Sequence, residues 1–219
     1  MEDKFLQGYS DTLISERVLA LFKAYGAYLD MEETGNHYLL PSGSHSSRFY
    51  NPKPALQYRD ICELLTLILF RKLAHLRILE SINTVVGPEK GADPLIYMLL
   101  HYLPETNVRA ISFKKAGKDD EGKNIFLPPR GIQIDSKALV LIVDDVFDTG
   151  GSVKSVIKGI KGCGDAYILG VACCINRAPQ NWSPFPLWAT MPIVWAFRDP
   201  VIKYPADNCP YCINKVPLV

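Results

Sequence analysis

Two adjacent carboxylates at the end of an apolar run give the strongest sign of chemistry in the sequence. The apolar run 138–143 predicts a buried strand, and Asp144 and Asp145 follow it directly. In open α/β folds, ligands bind beyond the carboxyl ends of the strands. Carboxylates repel phosphate, but they accept hydrogen bonds from neighbouring hydroxyls and can hold Mg²⁺ through water. The pair therefore predicts a site for a diol, with or without magnesium.

A short turn separates this pair from a second motif, Thr149-Gly150-Gly151-Ser152, which opens a predicted helix. The first turn of a helix has free N–H groups and a positive dipole end. The two glycines let a phosphate approach the backbone, and the two hydroxyls add donors. Diol acceptors beside a phosphate loop predict a ribose 5-phosphate site. The alternative is an ordinary strand–helix junction in which Ser152 is only an N-cap.

Apolar strands and helices alternate around these motifs. Short apolar runs predict strands over 83–86, 108–113, 138–143 and 166–175, and helical spacing predicts helices over 58–79, 93–102 and 152–161. Residues 114–124 are polar and charged, which predicts an exposed loop. Fully apolar strands that alternate with helices indicate an α/β fold with a parallel sheet flanked by helices on both faces.

The two ends of the chain have a different pattern. A helix is predicted over 12–29, then a strand over 38–40, a turn over 41–44 and a returning strand over 49–50. The proline-rich tail 179–219 is expected to be mostly irregular, with one strand near 193–195. We expect one domain over 1–219, with a core over about 56–178 and a small cap, or hood, formed by 1–55 and 179–219.

Composition excludes several classes of protein. The 219 residues carry 24 Lys and Arg against 23 Asp and Glu, and a net charge of +1 argues against bulk binding to nucleic acid or an anionic membrane. The apolar run 64–70 is too short for a membrane span, which needs about 20 residues. The first residues lack a signal-peptide pattern, and six cysteines are too few for a disulfide scaffold. We therefore expect a cytoplasmic protein with free thiols.

The stretch 138–152 resembles the PRPP-binding signature of the type I phosphoribosyltransferases: an apolar strand, two acidic residues and Thr-Gly-Gly-Ser. This resemblance implies that Asp144 and Asp145 contact the ribose hydroxyls and also hold Mg²⁺ through water. It implies that the loop binds the 5-phosphate of PRPP, with contacts from Asp148, Thr149, Gly150, Gly151 and Ser152. The reaction implied is the displacement of pyrophosphate from PRPP by a nucleobase.

Other segments are similar to the orotate branch of this family. The segment 86–91 resembles its pyrophosphate loop, with Lys90 as a PRPP-binding and catalytic lysine. The segment 113–118 resembles its mobile catalytic loop. The implied PRPP contacts there are Lys114, Lys115 and Lys118, with Lys118 catalytic. In the family this loop reaches into the partner subunit's site, which implies a homodimer.

Three further segments extend the similarity to the orotate branch. Residues 40–46 resemble its N-terminal Leu-Lys-Ser-Gly-x-x-Ser segment, and 204–212 resemble its Cys-Pro-x-Cys tail. Arg177 stands where the branch has an Arg that contacts the orotate carboxylate, so it is the implied nucleobase-binding residue. Considered alone, Arg177 has the simpler alternative of an ion pair with Asp165 or Asp199. The lysines of 114–118, likewise, have the alternative of a solvated loop.

The sequence departs from the orotate pattern at three positions. Pro41 replaces a lysine, Asp120 replaces a histidine, and Asp148 replaces a threonine. In the hypoxanthine-guanine branch an Asp at this position is the base for the purine N7 proton, and a carboxylate there would repel that of orotate. Asp148 is thus a general base or a hydrogen-bond acceptor behind the substrate. Three functions remain open: an orotate enzyme, a purine (hypoxanthine, guanine or xanthine) enzyme, and a PRPP-binding regulator without turnover.

The cysteines allow one further hypothesis. Cys209 and Cys212 have the spacing of half a zinc site. Cys173 and Cys174 are unsuitable as the other half, because neighbouring residues of a strand point to opposite faces. Completion by a histidine is possible, but the four histidines, at positions 37, 45, 75 and 101, show no metal-ligand spacing.

Overall fold

A computed structural model describes residues 11–120, 122–179 and 191–219. The strands, numbered in chain order, are β1 Tyr28–Asp30, β2 Tyr38–Leu39, β3 His45–Ser46, β4 Arg48–Tyr50, β5 Thr84–Pro88, β6 Arg109–Lys118, β7 Asn124–Leu127, β8 Leu139–Phe147, β9 Tyr167–Asn176 and β10 Ile193–Arg198. The helices are α1 Asp11–Ala24, α2 Met31–Thr34, α3 Arg59–His75, α4 Asp93–Tyr102, α5 Gly151–Lys161 and α6 Pro210–Ile213. Short 3₁₀ turns lie at Ala55–Gln57, Leu79–Ser81 and Ala206–Asn208.

The central sheet has six strands in the order β10-β9-β8-β5-β6-β7. The first five are parallel, and β7 is antiparallel to β6. This arrangement confirms the α/β fold with a mostly parallel sheet. The strand predicted in the tail is present as β10, but it lies at the edge of this sheet rather than in a cap. The carboxyl ends of β5, β8 and β9 consequently meet at one edge, where the predicted site residues follow.

Two hydrophobic clusters cover the two faces of the sheet. One contains residues of α1, α3 and α4, and the other contains residues of α5. Side chains of one strand alternate between them: Cys174 belongs to the first and Cys173 to the second. The predicted opposite orientation of these two cysteines is therefore confirmed, and they cannot join one four-cysteine site.

The N-terminal strands pair differently from the prediction. Helix α1 ends at Ala24 instead of residue 29, because Gly26 adopts a left-handed conformation with φ of 65°. Residues 28–30 are then free to form β1, which pairs with β4, while β2 pairs with β3 across the turn 41–44. The buried rings of Tyr28 and Tyr50, with centroids 4.8 Å apart, stabilise the β1–β4 pair.

The predicted loop 114–124 is wrong over most of its length. Strand β6 continues to Lys118, and β7 begins at Asn124, so this stretch forms a hairpin. Phe126 is buried and its N–H donates to Ser155 Oγ on α5, which attaches the hairpin to the core. The exposed lysines gave a loop-like composition, but backbone pairing with β7 keeps the segment extended.

Among the described residues, no helix is both long and apolar enough to cross a lipid bilayer.

Candidate active site

The two carboxylates lie inside the last third of β8, because this strand continues to Phe147. Asp144 is buried and Asp145 is partly exposed. The Asp145 N–H donates to Asp144 Oδ1 at 2.9 Å, and the Val146 N–H donates to Asp145 Oδ1 at 2.8 Å. These bonds fix both carboxylates on the backbone, so that little ordering entropy remains to be lost when a ligand binds.

The Asp144 carboxyl group is in an unfavourable environment for a charge. Burial, with a smaller contribution from the Asp145 carboxylate, raises the pKa of Asp144 well above its usual range, and Lys53 partly opposes this shift. A cation at this point would relieve the repulsion between the two carboxylates. Their oxygens are also the hard donors that Mg²⁺ prefers, so the pair fits the predicted magnesium site.

We expect Asp144→Asn to stabilise the fold. The raised pKa means that the folded state binds more protons than the unfolded chain, so stability falls as pH rises from the ordinary Asp range through the folded pKa. Asn carries no charge, and its oxygen can still accept from the Asp145 N–H. The variant should gain on the order of 1 kcal/mol in the free energy of unfolding, and this gain should increase with pH. Urea unfolding across a pH series measures it; an equal pH dependence in both proteins would contradict the argument.

The segment 149–152 forms the predicted turn into a helix. Gly150 is the N-cap of α5 with φ of 75°, a conformation that favours glycine. A Cβ built on Gly151 would meet nothing within 4 Å, so the backbone faces open space there. This turn lines a cleft of about 530 Å³ together with Asp144, Asp145 and Asp148. We call it the main cleft; it brings together the phosphate loop and the carboxylate pair, as predicted.

The predicted pyrophosphate loop lies beside these residues. Lys90 and Gly91 line a second cleft of about 480 Å³, which shares Asp145 and Ser152 with the main cleft. A Cβ on Gly91 would lie 2.1 Å from Asp145 Oδ2, so only glycine leaves room for this carboxylate. The peptide bond between Glu89 and Lys90 is cis. Glu89 Oε1 accepts the Lys115 N–H at 3.1 Å, which joins this loop to β6.

The three lysines of β6 are placed differently. Lys115 lines the second cleft, and Lys115 and Lys118 both line a third cleft of about 470 Å³ beside Ser152. Lys114 lines none of the three clefts, because adjacent residues of a strand point to opposite faces. A β-bulge between Lys115 and Gly117 shifts the alternation, so Lys118 lines the same cleft as Lys115. The structure therefore brings Lys115 and Lys118 close to the turn at residues 149–152, whereas Lys114 lies outside these clefts.

Asp148 is held between two cations at the mouth of the main cleft. Arg177 Nη2 lies 3.2 Å from Asp148 Oδ2, and Lys203 Nζ binds Asp148 Oδ1. Neither partner suggested for Arg177 by the sequence is the one observed: Asp199 binds Arg48 Nη1 at 2.7 Å instead. Arg177 is buried, and its Nε has no hydrogen-bond partner among the described residues. Because Arg177 also lines the main cleft, its guanidinium group is placed to meet an anionic part of a ligand.

Two lysines of the site were missed in the sequence. Lys53 lines both the main and the second cleft, and Lys203 binds Asp148. Lys53 stands between two prolines, and Lys203 lies in the proline-rich tail, so neither has a local motif. Of the departures from the orotate pattern, Pro41 lines the main cleft, while Asp120 is exposed near the end of the β6–β7 hairpin.

The fold and this site together define an α/β protein that has a carboxylate pair and an anion-binding type of helix start at the carboxyl edge of its sheet. The sequence profile of the phosphoribosyl transferase domain matches residues 62–184, more than half of the chain. The orotate phosphoribosyltransferase of Caldicellulosiruptor saccharolyticus is 31% identical over 204 residues, which cover 93% of this chain and 94% of that protein. The chain belongs to the phosphoribosyltransferase family, whose members are pentosyltransferases.

Solved structures share the fold. The crystal structure of orotate phosphoribosyltransferase from Aeropyrum pernix has a TM-score of 0.61 at 20% identity, over 83% of this chain and 93% of that one. Adenine phosphoribosyl transferase from Trypanosoma brucei, in complex with AMP, pyrophosphate and ribose-5-phosphate, has a TM-score of 0.55 at 17% identity, over 81% of this chain and 79% of that one. The fold therefore occurs with a pyrimidine and with a purine base.

Proposed function

We propose that this enzyme transfers the 5-phosphoribosyl group of PRPP to orotate, forming orotidine 5′-monophosphate and pyrophosphate. The observation that carries the choice of base is Arg177, a cationic side chain in the wall of the main cleft beside Asp148. A base that bears a carboxylate would supply the acceptor. The relatives named for orotate transfer support the same substrate.

The charges around Asp148 remove the objection that the sequence raised against orotate. The carboxylate faces Arg177 on one oxygen and Lys203 on the other. Two cations and one anion leave this part of the cleft with an excess positive charge, which attracts a carboxylate rather than repelling it. In this proposal Asp148 positions Arg177 and Lys203 and does not act as a base.

PRPP is proposed to occupy the main and second clefts together. The 5-phosphate binds at the N-terminus of α5 with Thr149, Gly150, Gly151 and Ser152, and Asp144 and Asp145 accept the ribose hydroxyls. The pyrophosphate lies toward Lys90 in the second cleft. Mg²⁺ would be held through water by Asp144 and Asp145, where it would neutralise negative charge on the pyrophosphate.

The chain's own residues would then favour the departure of pyrophosphate. Lys90, Lys115 and Lys118 would offer donors to the negative charge that builds on the leaving group as the sugar becomes oxocarbenium-like. Asp145 would keep the ribose in place, and Arg177 would hold the base so that its nitrogen faces the anomeric carbon. Because Lys118 lies near the end of the hairpin, movement confined to that end, beyond the part attached to the core, would close the clefts to water.

We expect Lys118→Ala to lower kcat for pyrophosphate release by about 10²- to 10³-fold, the usual effect of losing one positioned donor. Lys114→Ala is the matched comparison, because it removes the same charge from the same strand but from the side that lines no cleft. Its kcat should stay close to that of the unmodified enzyme. Equal kcat values for the two variants would refute the placement of Lys118 at the leaving group.

A purine base is the second candidate, because the Asp148 carboxylate does line the main cleft. The deciding experiment measures pyrophosphate release from PRPP and Mg²⁺ with orotate, uracil, hypoxanthine, guanine, xanthine and adenine. Release with orotate supports the proposal. Release with a purine alone would make Asp148 the base, and PRPP binding without any release would indicate a regulator.

We further propose that residues 1–219 act as one domain within a homodimer in the cytoplasm. The implied reach of the β6–β7 hairpin into a partner's site supports the dimer. The free state of all six cysteines suits a reducing compartment. Sedimentation at assay concentration tests the assembly.

A further inference from the structure

Four potential metal ligands meet outside the three clefts described above. They are His37, His45, Cys209 and Cys212, and their ligand atoms all lie within 4.8 Å of one another. Cys212 Sγ lies 3.3 Å from His37 Nε2 and 3.2 Å from His45 Nδ1. In a tetrahedral zinc site, with Zn–S of about 2.3 Å and Zn–N of about 2.0–2.1 Å, a sulfur and a nitrogen are about 3.6 Å apart. The observed separations are close to this edge length.

The protein backbone holds the two histidines in place for such a role. His37 Nδ1 lies 3.0 Å from the Pro217 carbonyl oxygen, so Nδ1 carries the proton and Nε2 presents its lone pair to Cys212. A hydrogen bond from the second ring nitrogen to a carbonyl is the usual support of a zinc-bound histidine. The backbone of His45 pairs with Tyr204 in both directions, at 2.8 and 2.9 Å.

The cysteines have the local geometry of a structural site. Cys209 is the N-cap of α6 and is buried, and Cys212 lies three residues later in the same helical turn. Two sulfurs and two nitrogens in a tetrahedral arrangement favour zinc. With four protein ligands the metal keeps no open position for a substrate, so such a site supports structure rather than catalysis.

We propose that one zinc ion is bound by His37, His45, Cys209 and Cys212. This ion would join the C-terminal tail to the β2–β3 hairpin. The sequence left open that a histidine completes the half-site of Cys209 and Cys212, although the spacing of the histidines did not indicate which one. The turn between the two histidines carries Pro41 and Ser42, which line the main cleft. On the tail side, Lys203 precedes Tyr204, the residue that pairs with His45. The zinc would therefore fix two walls of the cleft without touching the substrates.

The test is a metal analysis of protein purified without chelators or metal-affinity resin. We expect one zinc ion per chain by mass spectrometry, and loss of this ion in Cys212→Ser. Cys163→Ser is the matched control, because Cys163 is exposed and lies outside the cluster; it should keep its zinc. Replacement of zinc by Co²⁺ should give visible ligand-field bands and a near-ultraviolet thiolate charge-transfer band, both absent in Cys212→Ser.

Three results would overturn this proposal. They are wild-type protein that neither contains nor takes up stoichiometric zinc, equal zinc content in the two Cys→Ser variants, and a Cys209–Cys212 disulfide in the freshly purified protein. If Cys212→Ser fails to fold, chelator-treated wild-type protein titrated with Co²⁺ gives the same answer. None of these readouts depends on turnover, so they test the zinc site independently of the proposal that orotate is the substrate.

Discussion

Pyrophosphate release should fall by about 10³-fold or more when Asp145 is replaced by Asn. The Asp145 carboxylate lines both the main and the second cleft and is fixed by the Val146 N–H. It is the more exposed carboxylate of the pair, and the backbone holds it in place. An amide removes the negative charge that would orient the ribose hydroxyls and magnesium, and it exposes N–H donors to the bound cation. Steady-state kinetics with PRPP and orotate measure this effect.

Asp165→Asn provides the control for Asp145→Asn, since it makes the same chemical change at an exposed position at the start of β9. Its kinetics should be unchanged. The fold of Asp145→Asn should survive, because the substitution relieves the repulsion on buried Asp144. Thermal unfolding distinguishes a folded, inactive variant from an unfolded one. A folded Asp145→Asn protein with ordinary kcat and KM for PRPP would refute the ribose site.

Arg177→Gln should lower kcat/KM for orotate by about 10²-fold or more while leaving the KM for PRPP nearly unchanged. The substitution removes the buried guanidinium proposed to bind the substrate carboxylate, and it leaves Asp148 with Lys203 as its partner. Loss of one member of a buried charge pair commonly costs about 2–5 kcal/mol. The substitution would also remove the excess positive charge around Asp148 that is proposed to attract orotate. The informative measurement is the comparison of the change in KM for orotate with the change in KM for PRPP.

Arg198→Gln is the matched control for Arg177→Gln. Arg198 is exposed at the end of β10, where its guanidinium lies 5.2 Å from the Trp195 ring centre, outside the clefts. Its loss removes the same charge and should leave both KM values unchanged. If Arg177→Gln instead raised the KM for PRPP and left that for orotate intact, Arg177 would belong to the ribose or phosphate site, and the argument for orotate would fail.

The fold could be predicted where the residues of one strand or helix are enough to show which of its faces are buried. The run before Asp144 is apolar throughout, which indicates a strand covered on both faces, and the following Thr-Gly-Gly-Ser marks the helix start. Prediction failed where contacts between distant parts of the chain determine the local structure. The β6–β7 hairpin has a loop-like composition, but Phe126 and Ser155 attach it to the core. The pairing of β1 with β4 depends on buried tyrosines that no local pattern connects.

The candidate site likewise has one part that could be predicted from neighbouring residues and another part that could not. The carboxylate pair and the phosphate loop are contiguous, so their spacing alone indicated a ribose 5-phosphate site. The environment of Asp148 depends on Arg177 and Lys203, which come from other parts of the chain. Cys212 and His45 are 167 residues apart, and only the folded chain places them together. Only the structure could therefore show the charges around Asp148 and the grouping of the four possible metal ligands.

The contact between Gly91 and Asp145 also constrains how this protein can evolve. A methyl group at position 91 would lie 2.1 Å from the carboxylate oxygen, so a mutation to alanine displaces the Asp145 side chain. A shorter residue at position 145 would make room for a side chain at position 91, but it would remove the carboxylate that is proposed to hold the ribose. With Asp145 in its proposed role, selection for transferase activity would act on the two positions together.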